Sequence, residues 1–264
     1  MRRRKLLVVG LAVSTIIFVS CQKESTNSSV KGPSSMNIKI EAMNPSYSLP
    51  VDATKSALAG SSTITWDTAQ MVVSNVKFEA ELKSMVTHHD SIEISYKWTG
   101  PVLTDLMDST VTFGNFVLQP GFYDQVEISV NGNHEDAGDQ PVFYLHGIYS
   151  KDTTTIPVMV KVFENVAFKT EKDSVDVTDE AVDFTSYIQI FLDQLMSGVD
   201  PSAFDNATLT DGIIVISAMK NRDIYETIMH NLIHDHYSYF HFWHDYEHHD
   251  KNNEHHDDGD GEHD

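Results

Sequence analysis

The stretch Gln119-Pro120-Gly121-Phe122-Tyr123-Asp124-Gln125-Val126-Glu127-Ile128-Ser129-Val130-Asn131-Gly132-Asn133 decides the fold class. Val126, Ile128 and Val130 alternate with polar neighbours, the period of two that marks a strand with one buried face. Pro120-Gly121 before the run and Asn131-Gly132 after it are turn formers, because they supply backbone conformations that a strand interior does not use. The same grammar extends in both directions. Residues 37–42, 72–78, 92–96, 111–118, 142–149 and 158–168 read as further strands, with Lys151-Asp152-Thr153 as another turn. Short strands at this spacing predict a mainly β chain, an antiparallel β-sandwich over residues 37–218 whose two inner faces make the core.

Two segments resemble one another and predict hairpins. Asn75-Val76-x-Phe78 runs towards Asp90-Ser91-Ile92-Glu93-Ile94-Ser95, and Asn165-Val166-x-Phe168 towards Asp173-Ser174-Val175-Asp176-Val177-Thr178. Each reads as strand, polar turn, strand. Helices are expected late in the chain. Phe184, Tyr187, Ile188, Phe191, Leu192 and Leu195 sit at helical spacing, with Asp183 as a cap and Gly198 and Pro201 as stops, which predicts a helix over 183–197. Ile213 to Ile216 is strand-like. A second helix is expected over 219–249, starting near Asp223 with Glu226 as its capping-box partner.

Val73-Ser74-Asn75-Val76-Lys77-Phe78-Glu79-Ala80-Glu81, Pro120-Gly121-Phe122-Tyr123-Asp124-Gln125-Val126-Glu127, and Leu145-His146-Gly147-Ile148-Tyr149 followed by Pro157-Val158 resemble an uncharacterised group of bacterial, Gram-negative β-sandwich envelope lipoproteins. The resemblance implies a fold and a location, and no catalytic motif. The N-terminus agrees with that location. Arg2, Arg3, Arg4 and Lys5 precede an apolar run from Leu6 to Val19, and Phe18-Val19-Ser20-Cys21 resembles a lipoprotein cleavage motif, so 1–20 reads as a signal peptide and Cys21 as the lipidated first residue. The apolar run is short for a bilayer span. Residues 21–36 read as a lipidated Cys and flexible tether, poor in anything to bury. Gln22-Lys23-Glu24 resembles the short signals that send some Gram-negative lipoproteins to the cell surface. The expected location is therefore the outer membrane, facing the periplasm or, favoured here, the cell surface.

Cys21 is the only cysteine, so with it used as an anchor neither a disulfide nor a thiolate metal site is available, and the fold rests on a core drawn from 41% apolar residues. Lys and Arg number 18 against 39 Asp and Glu, a formal charge of −21. Such a surface excludes nucleic acid and anionic lipid as partners and favours cations.

Ten of the 14 histidines lie from His230 onward, among ten acidic residues and one lysine, Lys251. On a helix, His230, His234, His241, His244 and His248 step by four, seven, three and four and share one face, with Asp245 beside them. Imidazoles one turn apart can share a metal ion, so these six are the candidate ligands. Imidazole suits zinc, copper(II) and nickel(II), and the missing thiolate disfavours copper(I). Residues 250–264 hold no apolar residue and read as a disordered acidic, His-rich tail.

His88-His89-Asp90 and His134-Glu135-Asp136 read as polar loop chemistry, and His146 as a packed strand histidine. No GxSxG, HExxH, P-loop or dinucleotide fingerprint occurs, so no enzyme is expected. The expected function is a lipid-anchored envelope protein that buffers, captures or delivers a divalent transition metal. The alternatives are a surface adhesion or glycan-binding module, using Trp66, Trp98 or the tyrosines, and haem capture by the cluster from His236 to Trp243.

Overall fold

The computed structural model describes residues 34–49, 62–83, 91–108, 110–177, 183–234 and 238–244. Its elements in chain order are β1 (Ser34–Met43), β2 (Ser46–Ser48), β3 (Ser62–Lys83), β4 (Ser91–Asp105), β5 (Phe113–Leu118), β6 (Gly121–Gly132), α1 (His134–Ala137), β7 (Phe143–Lys151), β8 (Thr154–Val162), β9 (Val166–Val177), β10 (Asp183–Phe191), α2 (Leu192–Leu195), α3 (Pro201–Asp205), β11 (Leu209–Thr210), β12 (Ile213–Ile216), α4 (Arg222–His234) and β13 (Ser238–His244). The described chain is mainly β, with few helices.

β3 is the organising strand of a nine-stranded sheet, because its 22 residues are long enough to pair with different neighbours at each end. β7 lies beside its first half, β6 beside its second, and β2 and β4 follow one another along the opposite edge. The buried residues of β3 explain how one strand serves both ends. Ser62, Ile64 and Trp66 face the core, then Ala69, Met71 and Val73, then Val76, Phe78, Ala80 and Leu82. Parity switches twice: the first switch coincides with a bulge on β3 between Trp66 and Thr68 against β7, and the second follows a stretch, Met71 to Ser74, that is buried on both faces. A bulge inserts one residue and so exchanges the faces of everything beyond it.

The second sheet has the order β13-β10-β1-β5. Met36, Ile38 and Ile40 of β1, Phe113 of β5, and Phe184, Ile188 and Ile190 of β10 join Trp66, Phe78, Ile128 and Val160 of the larger sheet in one apolar core. The margins of the sheets meet. Tyr96 of β4 donates its hydroxyl hydrogen to the Val117 carbonyl of β5 (2.6 Å) and stacks on Phe116 at 5.4 Å. Trp98 packs edge-on against Phe113. At the other margin β13 lies against β9.

Several expectations are corrected here. The sheets are mixed in orientation: β1 runs parallel to β10 and β8 parallel to β12, while the remaining pairs are antiparallel. The helix expected over 183–197 is strand β10 followed by the single turn α2. Phe184 and Ile188, four residues apart, fit a period of two as well as a helical one, and nine residues of β10 pair with β1, which settles the ambiguity in favour of the sheet. The helix expected over 219–249 ends at His234, and Ser238-Tyr239-Phe240-His241-Phe242-Trp243-His244 forms β13 against β10. Aromatic residues favour a pleated surface, and β10 offers a free edge for it. Glu226 bonds Arg222 at 2.7 Å one turn back instead of closing a capping box.

The expected β3–β4 hairpin forms, with Asn75 through Lys83 opposite Ser91 through Thr99. Its counterpart does not: Val166–Val177 is one continuous strand, because β6 pairs along its whole length and satisfies the backbone of the polar run Glu171-Lys172-Asp173-Ser174. The expected strand 158–168 divides into β8 and β9. Of the tether expected over 21–36, Ser34–Met36 are instead the start of β1, with Met36 in the core, while residues 21–33, with Cys21, and the tail after 249 lie outside the described residues.

Candidate functional site

Helix α4 carries the first two candidate ligands. Ile224, Tyr225, Ile228 and Leu232 recur at i, i+1, i+4 and i+8, so one side of the helix is apolar, and all four are buried. The Tyr225 hydroxyl donates to Glu164, and burial together with that carboxylate raises the phenol's pKa well above the usual value. Asn231 is buried and its amide donates to the carbonyls of Leu195 and Ser197, both at 2.9 Å, with a longer contact to Gln194 at 3.4 Å. Leu195 is the last residue of α2, so its carbonyl is one the helix leaves unpaired, and Asn231 caps it from the middle of another helix. His230 is exposed, and His234, the last residue of α4, stands one turn further on.

The other candidates are not on that helix. His241 pairs with Tyr187 and His244 with Phe184 in the β10–β13 ladder, while Asp245 and His248 lie outside the described residues. A step of three, as from His241 to His244, shares a face on a helix but falls on opposite faces of a strand, whose faces repeat every two residues. The single helical face over five histidines is therefore overturned, and among the described residues the helical i,i+4 spacing survives for His230 and His234. Among the described residues no group of three or more His, Cys, Asp or Glu stands ready to hold a metal ion.

His134 begins α1, where its backbone N–H donates to Asn165 Oδ1 at 2.7 Å, and Asn133 Nδ2 donates to Asp136 at 3.2 Å. His134-Glu135-Asp136, expected in a loop, thus forms most of the short helix α1. His88-His89-Asp90 lies outside the described residues. His146, by contrast, is only partly buried and bonds Asp67 through Nδ1 at 2.7 Å. That bond is the main reason the Asp67 carboxyl sits below the usual value. The bulge at Trp66–Thr68 sets Asp67 in reach of a residue 79 positions away, and no local sequence signal announces the pair. Trp66 is buried with its indole N–H on the Tyr47 hydroxyl (3.2 Å), and Trp98 packs on Phe113, so both indoles serve the core.

Beside the His146–Asp67 pair is a cleft of about 220 Å³ lined by Gln70, Leu103, Gln140, Pro141, Tyr144 and Lys161. Gln70 of β3, Tyr144 of β7 and Lys161 of β8 stand in one cross-strand line, since Tyr144 pairs with both others. Leu103 flanks it from β4, and Gln140 and Pro141 come from the connection into β7. Burial, with the Asp67 charge adding, raises the Tyr144 phenol above its usual value, so it is a neutral hydroxyl at physiological pH. Composition offered no signal for this cleft, because its members come from four separate stretches.

The chain matches no protein-family model, no curated protein and no solved structure.

Proposed function

We propose that the chain is a lipid-anchored outer-membrane protein, held by Cys21 and favoured to face the cell surface, with a β-sandwich body and a C-terminal segment that binds zinc, copper(II) or nickel(II). Two sheets around one apolar core support the sandwich reading. The observation that carries the function is compositional and positional together. Ten of 14 histidines follow the start of the last helical turn of α4, amid ten carboxylates that concentrate cations near them. His230 and His234, one turn apart on an anchored helix, supply the first pair of ligands, and His241, His244, Asp245 and His248 supply further donors along the chain that follows. The role is binding, for buffering, capture or delivery, and not catalysis.

Calorimetry of residues 22–264 with zinc tests this reading. Only neutral imidazole binds a metal, so the heat should be strong near pH 7.5 and should collapse below about pH 6. Binding that persists unchanged at pH 5 would mean that carboxylates hold the ion. No heat at pH 7.5 would remove the reading.

A further inference from the structure

We infer that the cleft between β3, β7 and β8 binds the ring of a neutral sugar. The inference concerns a site apart from the terminal histidines and stands whether or not those bind metal.

Four lysines elsewhere on the sheet surfaces are held in ion pairs. Lys77 pairs with Glu79, Lys83 with Asp124, Lys151 with Asp205, and Lys169 with Glu127 and Glu171. Lys161 has no such partner among the described residues, and the side-chain amides of Gln70 and Gln140 and the Tyr144 hydroxyl likewise make no hydrogen bond there. Four hydrogen-bonding groups thus converge on one concavity without satisfying one another. Three of them stand on paired strands, which fixes their spacing before any ligand arrives. Leu103, Pro141 and the Tyr144 ring add an apolar wall.

The charge balance selects among ligands. A chain of formal charge −21 repels anions at long range. Lys161 repels cations at short range, and no carboxylate lines the cleft. An uncharged ligand rich in hydroxyl groups, with one apolar face, fits both conditions. A pyranose has that chemistry: its C–H face suits the Tyr144 ring, and its hydroxyls take donors from Lys161 and both donors and acceptors from the two amides. The volume of about 220 Å³ falls below the ~300–1,000 Å³ of pockets for drug-sized molecules, so the cleft holds one ring and leaves the rest of a glycan outside.

The test is a titration of 15N-labelled residues 22–264 with methyl glycosides of glucose, galactose and mannose, with cellobiose and lactose, and with glucuronic acid and acetate as charged controls. At least one sugar should shift the amides around Gln70, Gln140, Tyr144 and Lys161 saturably. The affinity should be the same in 50 and 500 mM NaCl, because an uncharged ligand is not screened. Lys161→Ala and Tyr144→Ala should each weaken it by about fivefold or more, about 1 kcal/mol, with thermal midpoints confirming that the variants fold. Should Tyr144→Ala fail to fold, Gln70→Ala replaces it. Three results would overturn the inference: no saturable shift with any sugar of the panel, binding that survives both variants, or binding confined to glucuronic acid and acetate and lost in salt.

Discussion

Asn231 offers the sharpest test of how α4 is held. In Asn231→Ala the carbonyls of Leu195 and Ser197 lose donors at 2.9 Å and stay in a site where Asn231 itself is only 5% exposed. Each net hydrogen bond is worth about 1 kcal/mol, and an acceptor left buried adds to the cost, so the loss is about 2–3 kcal/mol. For a chain of this size that corresponds to a fall of about 5–10 °C in thermal midpoint. Asn231→Asp should be worse at neutral pH although it is nearly isosteric, because an ionised carboxylate has no proton to donate and would face carbonyl oxygens. The introduced carboxyl would then titrate higher in the folded chain than in the unfolded one. Its penalty is therefore full above the folded value and shrinks as pH falls through it, since the protonated acid can donate. Urea unfolding followed by circular dichroism at pH 7.5 and pH 4 reads both effects. If Asn231→Asp matches wild type at pH 7.5, the amide does not act as the donor and the capping argument fails.

Other perturbations follow from the same geometry. A Cβ on Gly147 would sit 2.3 Å from the Thr65 carbonyl oxygen and 2.8 Å from the Trp66 Cα, so Gly147→Ala should destabilise by about 2–4 kcal/mol; a midpoint within 2 °C of wild type in a thermal melt would refute the close packing at the bulge. Asp205 accepts from Tyr149 (2.9 Å) and Lys151 (2.5 Å). Burial works against its charge, but those partners outweigh it and hold the carboxyl below its usual value. That stability is fully present above the unfolded value of about 3.9 and is lost as pH falls through the lower folded value. The difference between wild type and Asp205→Asn, about 1 kcal/mol for a pair one-third exposed, should thus vanish in urea melts by about pH 2, and a difference that is constant from pH 7 to pH 2 would contradict it. Cys21→Ala should leave a non-acylated precursor and release the protein from the membrane fraction; mass spectrometry showing unmodified Cys21 in membrane-extracted wild type would end the anchoring proposal.

The strands with a single uninterrupted alternation were legible in the sequence. Val126, Ile128 and Val130 all face the core, as their spacing predicts. β3 was legible only between Val72 and Phe78, because its bulge at Trp66–Thr68 and the stretch buried on both faces from Met71 to Ser74 leave no run of constant parity over its full length. β10 and β13 were misread for a related reason. Apolar residues spaced by four satisfy both periods, and only pairing decides between them: β10 with β1, more than a hundred residues away, and β13 with β10. That one misreading dissolved the continuous histidine face, since the step of three from His241 to His244 keeps one face only on a helix. α4 was legible through its buried Tyr225 and Leu232. The His146–Asp67 pair and the Tyr144 cleft were not, since each joins residues that only the sheet register brings together.

The central claim is that the C-terminal histidines form a metal site with a preorganised root on α4. Its most direct test is zinc calorimetry of residues 22–264 with two sets of replacements, His230→Ala with His234→Ala, and His255→Ala with His256→Ala and His263→Ala. The account predicts that the first set weakens the tightest binding step by about tenfold, about 1.4 kcal/mol, whereas the second chiefly lowers the number of ions bound. Equal losses from both sets would contradict it and reduce the segment to a diffuse acidic sponge.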